Sequence, residues 1–504
     1  MAVSLLLPVM GTASPAAAEE KLVVWWNKGY YKAEEDALLD VIKKFEAKTG
    51  VKVELSQYAT QDMMPKLVAA LDAGSPPDVT YADTYHFQGA GKWASEGKLV
   101  DLTSVLAPIK GEFSPQSLET VMLYNDKTKA KAYYAFPLKQ ATLHLHYWKD
   151  MLEEGGLKDT DIPKDWKGFW SFWCDKAQPA VRKASGKRIY GIGHPMGVDA
   201  TDSFISFLVF MDAYNVVLVD DNGKLLVDDP KVRAGLIAAM TDYVEIAARG
   251  CTPQSATSWK DPDNNVAFHN KTTIMTHNST VSLPGKWLDD ASNETLTAEQ
   301  RDEAKKNYND RIRTMVWPNK PDGTPVHTRA SVVVGLIFEQ AKNKERAKEF
   351  VSFLLRDENL QPYIEGALGR WFPVKTAAQK SAFWDGDVHR RAVRDQFFAG
   401  VGGYEMSKNY KFTTLNNENV WMKAVNAIVT NKVPVEGRRR HDRPHQGSGR
   451  QLTARSETVP LTRCKARERP GSPVASEALW RPPSPCPSSP SSVRSTSTSL
   501  LVST

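Results

Sequence analysis

Cysteine is scarce in this sequence, and the residues present do not have the spacing of a metal site. The 504-residue chain contains only Cys174, Cys251, Cys464 and Cys486, and none of these form a closely spaced pair. A zinc site built on paired cysteines is therefore not predicted. Cys174 and Cys251 could form a disulfide in an oxidising compartment or remain two separate thiols, and the sequence leaves both possibilities open.

Sequence motifs that carry catalysis are also absent. The chain has no G-x-S-x-G, H-E-x-x-H or G-x-x-x-x-G-K-[ST] pattern. His144 and His146 stand two residues apart on an extended segment and would share a face, but no third metal ligand accompanies them. The scattered Asp and Glu residues do not indicate the carboxylate separation that glycoside hydrolysis needs. We therefore predict a protein that is not an enzyme and that holds no metal or cofactor.

Long apolar runs are missing after the first twenty residues, so no membrane-spanning helix is predicted. The length favours two domains, and 41% hydrophobic with 25% charged residues is a globular composition. The net charge of +6 comes from the end of the chain. From Gly437 onward there are 12 Lys and Arg against 4 Asp and Glu, which leaves residues 1–436 at about −2. Nucleic-acid binding is therefore not predicted.

The first eighteen residues have most features of a secretory signal. An apolar centre, Val3 to Met10, precedes the small residues Ala16-Ala17-Ala18, although the usual positive start is missing. We interpret residues 1–18 as a truncated signal peptide, with an apolar tail as the alternative. No cysteine directly follows this apolar segment, which favours a free protein over a lipid-anchored one.

The stretch from Lys21 to Tyr58 predicts a strand, a helix and a strand. Lys21–Asn27 is a short apolar run rich in β-formers. The next segment, Ala33–Lys48, carries one apolar helical face made by Ala37, Leu38, Val41, Ile42 and Phe45. Gly50 is placed to end this helix, and Val51–Tyr58 alternates as a strand with one wet face does. Such a βαβ unit predicts a parallel sheet.

Aromatic and amide side chains follow the first predicted strand at its carboxyl end, where open α/β sheets bind their ligands. Further along, Leu67–Val79 reads as a helix followed by Gly74-Ser-Pro-Pro-Asp-Val79. In this order the pieces resemble the amino-terminal lobe of the extracellular solute-binding proteins, the maltose-binding-protein-like sugar-capturing subunits of ABC importers. Tyr147-Trp-Lys-Asp150 and the loop Gly366–Lys375 resemble later segments of that family. The resemblance covers about residues 21–434.

The resemblance implies an α/β fold of the type II-like periplasmic binding protein class. Two lobes would be joined by hinge crossovers, and the ligand would lie in the cleft between them. We expect residues 20–138 and 272–335 to form the first lobe. We expect residues 139–271 and 336–434 to form the second, with hinge closure burying the solute.

Sugars present an apolar C–H face and a ring of hydroxyls, which proteins bind with aromatic rings and with side chains that donate and accept hydrogen bonds. Residues of these kinds stand at the predicted strand ends and crossovers. The candidate ligand-binding residues are Trp26, Asn27, Tyr30, Tyr31, Asp83, Tyr85, Lys139, Gln140, His277, Asn278, Arg370 and Trp371. Ordinary packing is the alternative for each of them.

The family resemblance also implies partners and a location. The protein would be a periplasmic monomer that captures a small solute and docks on an ABC transporter membrane permease. The family resemblance implies that this solute is a sugar. A non-sugar ligand such as a polyamine or an opine-like conjugate would suit the same fold, and a secreted carbohydrate-active enzyme would have a similar cleft.

The resemblance stops where the composition changes. From Gly437 to Thr504 the chain is rich in Arg, Pro, Ser and Thr and lacks apolar periodicity, which is typical of disorder. Codons chosen for Glu436–Gly447 and read one base later encode an amphipathic helix. We therefore predict that residues 437–504 are translated out of frame, with a natural disordered tail as the alternative.

Overall fold

The predicted βαβ unit is present at the start of the computed structural model, which describes residues 21–436. Strand β1 (Lys21–Asn27) and strand β2 (Lys52–Tyr58) pair in parallel, and helix α1 (Lys32–Thr49) connects them. Gly50 adopts φ 73° and donates its N–H to the Glu46 carbonyl, which ends the helix as expected. Residues 1–20 and 437–504 lie outside the described part, and so do the predictions of a signal peptide and of a frame-shifted tail.

Nine further strands and nineteen further α-helices follow in the described part. The strands are β3 (Val79–Ala82), β4 (Met122–Asn125), β5 (Ala130–Tyr133), β6 (Phe136–Ala141), β7 (Leu143–Trp148), β8 (Tyr190–Gly193), β9 (Thr273–Ser279), β10 (Ile312–Met315) and β11 (Ser331–Leu336). The helices up to residue 248 are α2 (Thr60–Asp72), α3 (Tyr85–Gln88), α4 (Ala90–Ser95), α5 (Thr103–Leu106), α6 (Pro115–Val121), α7 (Lys149–Glu154), α8 (Trp166–Ser171), α9 (Gln178–Ser185), α10 (Thr201–Ala213) and α11 (Pro230–Ala248). The later helices are α12 (Asp263–His269), α13 (Ser282–Ser292), α14 (Ala298–Lys306), α15 (Lys344–Leu354), α16 (Asp357–Gly366), α17 (Val388–Ala399), α18 (Glu405–Lys408), α19 (Phe412–Asn417) and α20 (Val420–Asn431).

Two main sheets organise these elements into two lobes. The first sheet has the order β2-β1-β3-β11-β6, with β1, β2 and β3 parallel and β11 antiparallel to its neighbours. The second sheet has the order β10-β7-β9-β8, and β4 and β5 form a separate hairpin. Each sheet lies in its own hydrophobic core. The fold is thus the predicted α/β arrangement.

The chain passes between the two sheets at Thr142, between β6 and β7, and again at the segment that contains Thr328, between β10 and β11. Thr280, which lies between β9 and β10 of the second sheet, contacts the first of these links. Thr280 donates its N–H to the Thr142 carbonyl at 2.8 Å, and the Thr142 hydroxyl donates to the Thr328 hydroxyl. We call these three threonines the crossover contact.

Strand pairing places several elements differently from the sequence interpretation. Strands β9 and β10 were expected in the first lobe, but both pair in the second sheet, on either side of β7. Helices α15 and α16 were expected in the second lobe, but residues such as Phe350 and Tyr363 pack in the first core. Sheet membership depends on partners distant in sequence, which local patterns do not specify.

Cys174 and Cys251 form a disulfide, with their Cα atoms 5.1 Å apart. It joins the segment after α8 to the loop after α11, two regions 77 residues apart in sequence. This result decides between the two possibilities that the sequence left open. Among residues 21–436, no helix has both the length and the apolar character needed to cross a membrane.

Candidate functional site

Two acidic and two basic side chains meet around the carboxyl ends of β1 and β3. Lys139 Nζ lies 2.5 Å from Glu34 Oε1, and Arg370 Nη2 lies 3.2 Å from Asp83 Oδ2. Arg370 Nη1 also lies 3.7 Å from Glu34 Oε2, which connects the two pairs. We call these four residues the charged quartet. Its formal charges cancel.

Each member of the charged quartet comes from a different element. Glu34 lies in the first turn of α1, Asp83 directly follows β3, and Lys139 lies on β6. Arg370 follows α16 after a turn in which Leu368 and Gly369 have φ of 56° and 95°. Positive φ costs a branched residue such as Leu368 more than it costs glycine, so this tight turn is a feature the surrounding packing maintains.

Aromatic rings surround the Lys139 ammonium. Its Nζ lies 5.0, 4.9 and 4.6 Å from the ring centres of Tyr81, Tyr363 and Trp371. Tyr363 accepts a hydrogen bond from Lys139 at 3.1 Å and another from Trp26 Nε1 at 2.9 Å. Lys139 is only 1% exposed. A buried lysine is tolerated here because a carboxylate, a hydroxyl and three ring faces replace its water.

Glu34, Lys139 and Arg370 are held ionised at neutral pH. Burial by itself would raise the pKa of Glu34, but the charges of Lys139 and Arg370 outweigh it and leave that pKa below its ordinary value. Burial likewise opposes the charge of Lys139, and Glu34 reverses the effect, so the pKa of Lys139 is raised. The pKa of Arg370 is raised because Asp83 and Glu34 more than offset its burial.

The residues after β1 occupy different environments. Tyr30 is 54% exposed, and the Arg370 guanidinium lies 4.8 Å from its ring centre. Tyr31 is buried and donates its hydroxyl proton to the Ser282 carbonyl at 2.9 Å. Asn27 is buried and donates to the Lys28 carbonyl at 3.0 Å. Of these three, Tyr30 has the accessible ring.

Trp371 contacts both cations of the charged quartet. Its ring lies 4.6 Å from Lys139 Nζ and 4.7 Å from the Arg370 guanidinium carbon. The indole Nε1 is buried, and no hydrogen-bond acceptor for it occurs within residues 21–436. A buried donor without a partner is costly, so this N–H is suited to a ligand oxygen or a water.

On the second lobe, Asn278 lies at the end of β9, just before the crossover contact. Its Nδ2 donates to Asp202 Oδ2 at 3.1 Å and also to Asn265 Oδ1. Its Oδ1 accepts from the Ser282 hydroxyl at 2.6 Å. The Thr280 hydroxyl next to it donates to the Arg370 carbonyl, which joins this group to the charged quartet.

Other predicted site residues have structural partners. Tyr85 is fully buried in the first core, with its hydroxyl 3.1 Å from Thr80 Oγ1. Gln140 is buried, and its Nε2 donates to the Pro373 carbonyl at 2.7 Å. His277 is buried with its Nε2 3.0 Å from His194 Nδ1. These contacts fit a role in packing at the edge of the site.

The histidine pair considered in the sequence is buried on β7. His144 Nδ1 lies 3.0 Å from the Thr142 carbonyl oxygen, and His146 Nδ1 lies 3.0 Å from Thr314 Oγ1. Within the described residues, no group of three His, Cys, Asp or Glu side chains is arranged to hold a metal ion.

Four residues of this region were not predicted from the sequence: Glu34, Tyr81, Asp202 and Tyr363. Glu34 lies among the polar positions of an amphipathic helix, where solvent exposure is the ordinary expectation. Its main partner, Lys139, is 105 residues away in the sequence. Tyr363 also contacts Lys139, which is 224 residues away from it. Of these four residues, only Glu34 carried a signal in the sequence, because it is a polar residue shortly after the end of a predicted strand.

With this geometry in place, comparison with known proteins identifies the family. The chain belongs to the bacterial extracellular solute-binding protein family, whose sequence profile matches residues 40–392. The arabinooligosaccharide-binding protein of Bacillus subtilis (strain 168) is 26% identical over 221 residues. That match covers 43% of this chain and 46% of the relative, so the chain spans less than half of that protein's length.

Solved structures resemble most of the described part. A solute-binding protein of an ABC transporter from Thermotoga lettingae, bound to α-D-tagatose, has a TM-score of 0.64 at 21% identity and covers 83% of this chain and 96% of its own. Maltose-bound MalE3 of T. maritima has a TM-score of 0.63 at 20% identity, covering 82% and 96%. These similarities establish the two-lobe fold.

Proposed function

We propose that this protein captures a carbohydrate between its lobes and delivers it to the membrane permease of an ABC importer. The observation that carries the proposal is the charged quartet with its aromatic rings, placed where the strand ends of the first lobe meet the crossover contact. The quartet offers polar groups without net charge, which suits a neutral solute with many hydroxyls. Relatives that bind arabinooligosaccharides, tagatose and maltose support this choice.

The roles proposed here rest on the exposed ring of Tyr30, the unpaired Nε1 of Trp371 and the positions of the other polar groups at the strand ends. Tyr30 and Trp371 would pack on the C–H face of a sugar ring. Asp83 and Arg370 would bind hydroxyls from the first lobe, and Asn278 would bind from the second. Trp26, Tyr31, Lys139 and Gln140 would hold these side chains in place.

Closure would be a rotation of the two lobes about the crossover contact. Because the two links between the sheets contact each other through Thr142 and Thr328, they supply a common axis on which the sheets can turn as rigid bodies. A solute that contacts both lobes would stabilise the closed form, since it has partners on both sides only there. We propose that the permease recognises that closed form, that the protein acts as a monomer, and that it works in the periplasm.

The charges favour this proposal over the alternatives. A polyamine site needs excess negative charge, whereas the charged quartet is balanced. An opine-like anion would need a free cation, but Arg370 already pairs with Asp83 and Glu34. Within the charged quartet, Glu34 does not suit the role of a glycosidase acid, because that role needs a raised pKa and the pKa of Glu34 is lowered. A chromogenic glycoside should therefore release no phenolate.

Thermal unfolding of the full chain tests the proposal. The midpoint should rise with at least one of D-tagatose, maltose, laminaribiose and an arabinooligosaccharide, because binding to the native state stabilises it by RT ln(1 + [L]/Kd). Asp83→Asn should abolish the rise. Asp72→Asn makes the same charge change on the exposed end of α2 and should retain it. A folded protein whose midpoint responds to none of these sugars would contradict the proposal.

A further inference from the structure

Asp202 lies in the second lobe where two side-chain amides converge. It is in the first turn of α10, and its Oδ2 accepts hydrogen bonds from Asn264 and Asn278, each at 3.1 Å. Its other oxygen, Oδ1, accepts no hydrogen bond from any residue in the range 21–436. One oxygen therefore fixes the carboxylate in place, while the other is left for a donor from outside the protein.

A second polar atom beside Asp202 also lacks a partner. Asn264 is 1% exposed and donates its Nδ2 to Asp202 and to the His277 carbonyl. Its Oδ1 is buried, with no hydrogen-bond partner in the described part of the chain. Two unused acceptors thus lie on adjacent side chains, which suits a ligand carrying hydroxyl donors.

Asp202 also lies close to the first lobe. Its charge interacts with that of Arg370 in the charged quartet. Asn278, which donates to Asp202, is two residues from Thr280, whose hydroxyl donates to the Arg370 carbonyl. A solute bound by Asp83 and Arg370 would therefore be within range of the Asp202 carboxylate from the opposite side.

We propose that Asp202 is the acceptor through which the second lobe binds a sugar hydroxyl, and that solute binding weakens when this carboxylate takes up a proton. This inference rests on the proposed function. It adds a specificity residue that accepts a hydrogen bond from a sugar hydroxyl without bringing a permanent negative charge to the site. It also makes solute capture dependent on pH.

The groups around Asp202 place its titration near neutrality. Burial and the nearby Asp261 charge raise the pKa of Asp202 to about 7, while the Asn264 hydrogen bond and the Arg370 charge oppose them. Tyr243 and Tyr404 also face Asp202, and burial raises the pKa of each, so both stay neutral. Asp202 and Asp261 form a carboxyl pair in which burial raises both pKa values, and Asp202 is the member that titrates near neutrality.

The neighbouring histidines do not titrate in the same range. Burial lowers the pKa of His277 to about 3, and the pKa of its partner His194 also lies well below the ordinary value. Both imidazoles therefore remain neutral between pH 8 and pH 5.5. A pH effect on binding in this range is then attributable to the carboxyl pair.

The experiment is a calorimetric titration between pH 8.0 and 5.5. It uses whichever of D-tagatose, maltose, laminaribiose and the arabinooligosaccharide gives the largest thermal shift at pH 8.0. For the wild-type full chain, Kd should rise as pH falls below about 7, by up to about tenfold per pH unit. Asp202→Asn should bind more weakly at pH 8.0 and lose most of this slope.

Two further variants make the result specific. Asp199→Asn, an exposed change three residues earlier, should keep both the wild-type Kd and its slope. Asp261→Asn removes the like charge, so the titration midpoint should move to lower pH. A wild-type Kd that is constant from pH 8.0 to 5.5, or an unchanged slope in Asp202→Asn, would overturn the inference while leaving sugar binding established. Absence of binding by every sugar at every pH would instead overturn the proposed function, and this inference with it.

Discussion

At the scale of the residue, the central feature is a fully buried lysine. Lys139 is tolerated because Glu34 neutralises its charge and the Tyr363 hydroxyl accepts a hydrogen bond from its ammonium group. Such a pair contributes less to stability than its short distance suggests, since both ions lose their hydration. Breaking the pair by removing one partner is costly, because the remaining charge is left buried.

Lys139→Met tests this asymmetry. We expect the free energy of unfolding in urea at pH 7 to fall by about 3–5 kcal/mol, because Glu34 loses its closest countercharge. The double variant Glu34→Gln with Lys139→Met should lose less than Lys139→Met alone. Lys43→Met, at an exposed position of α1, should change stability by less than about 0.5 kcal/mol. Equal losses in all three variants would refute this account of the pair.

Buried histidines set the response to acid. Burial lowers the pKa of His144 to about 4, and those of His86 and His277 to about 3. The unfolded chain titrates these groups near pH 6.5, so between pH 6.5 and 4 it binds protons that the folded protein does not. Their stabilising effect is therefore complete above pH 6.5 and is lost as the pH falls toward 4.

We accordingly expect the free energy of unfolding to decrease between pH 6.5 and pH 4.5, with each such histidine contributing up to about 1.4 kcal/mol per pH unit. Urea denaturation at several pH values measures the slope. His144→Gln should make the slope shallower whatever its effect at pH 7. The exposed-surface variant Lys43→Met serves as the reference, and a slope identical in both variants would show that His144 does not contribute.

At the scale of the element, the disulfide holds two segments of the second lobe together. Cys174 follows α8, and Cys251 follows α11; the latter also accepts the Ile192 N–H through its carbonyl at 2.9 Å. The cross-link thus fixes both segments beside the edge strand β8. Closing a loop of this length restricts the unfolded chain.

Cys174→Ser with Cys251→Ser should lower the free energy of unfolding by about 4 kcal/mol, the size expected for a loop of some 77 residues. Cys464→Ser with Cys486→Ser is the matched control, because it removes the two other thiols, and it should leave the unfolding midpoint unchanged. A reductant added to the Cys464→Ser, Cys486→Ser protein should lower its free energy of unfolding by the same amount. No change on adding the reductant would contradict the contribution assigned to the disulfide.

At the scale of the whole molecule, the proposed function depends on the relation between the two lobes. The charged quartet belongs mainly to the first, Asp202 and Asn278 to the second, and the crossover contact lies between them. Under the proposed function, solute capture would be a change in lobe orientation that the solute stabilises.

Spin labels on the two lobes would measure that change. Val68 on α2 and Val217 after α10 are 42% and 52% exposed, so cysteines at both positions can be labelled in the Cys464→Ser, Cys486→Ser background. A saturating sugar should change the inter-label distance by more than about 2 Å. Labels at Val68 and Leu39, both in the first lobe, should keep their separation. An unchanged distance between lobes with bound sugar would exclude hinge closure.

The sequence by itself determined the features that depend on near neighbours. Local periodicity and backbone preference account for the apolar face of α1, the end of that helix at Gly50 and the alternation of β2. These features predicted the βαβ unit at the start of the chain and the α/β fold class. The positions of Tyr30, Asp83 and Arg370 could be proposed because strand ends and a family-like loop mark them.

Only the tertiary structure decided the rest. The partners Glu34–Lys139 and Asp202–Asn278, the disulfide, and the assignment of β9, β10, α15 and α16 to their lobes join residues far apart in sequence. Burial and charge pairing depend on those long-range contacts. The sequence pattern of a polar residue on a helix is therefore the same whether its side chain faces water or a buried lysine. The physical reason is that local patterns fix elements, whereas packing of one element on another fixes the site.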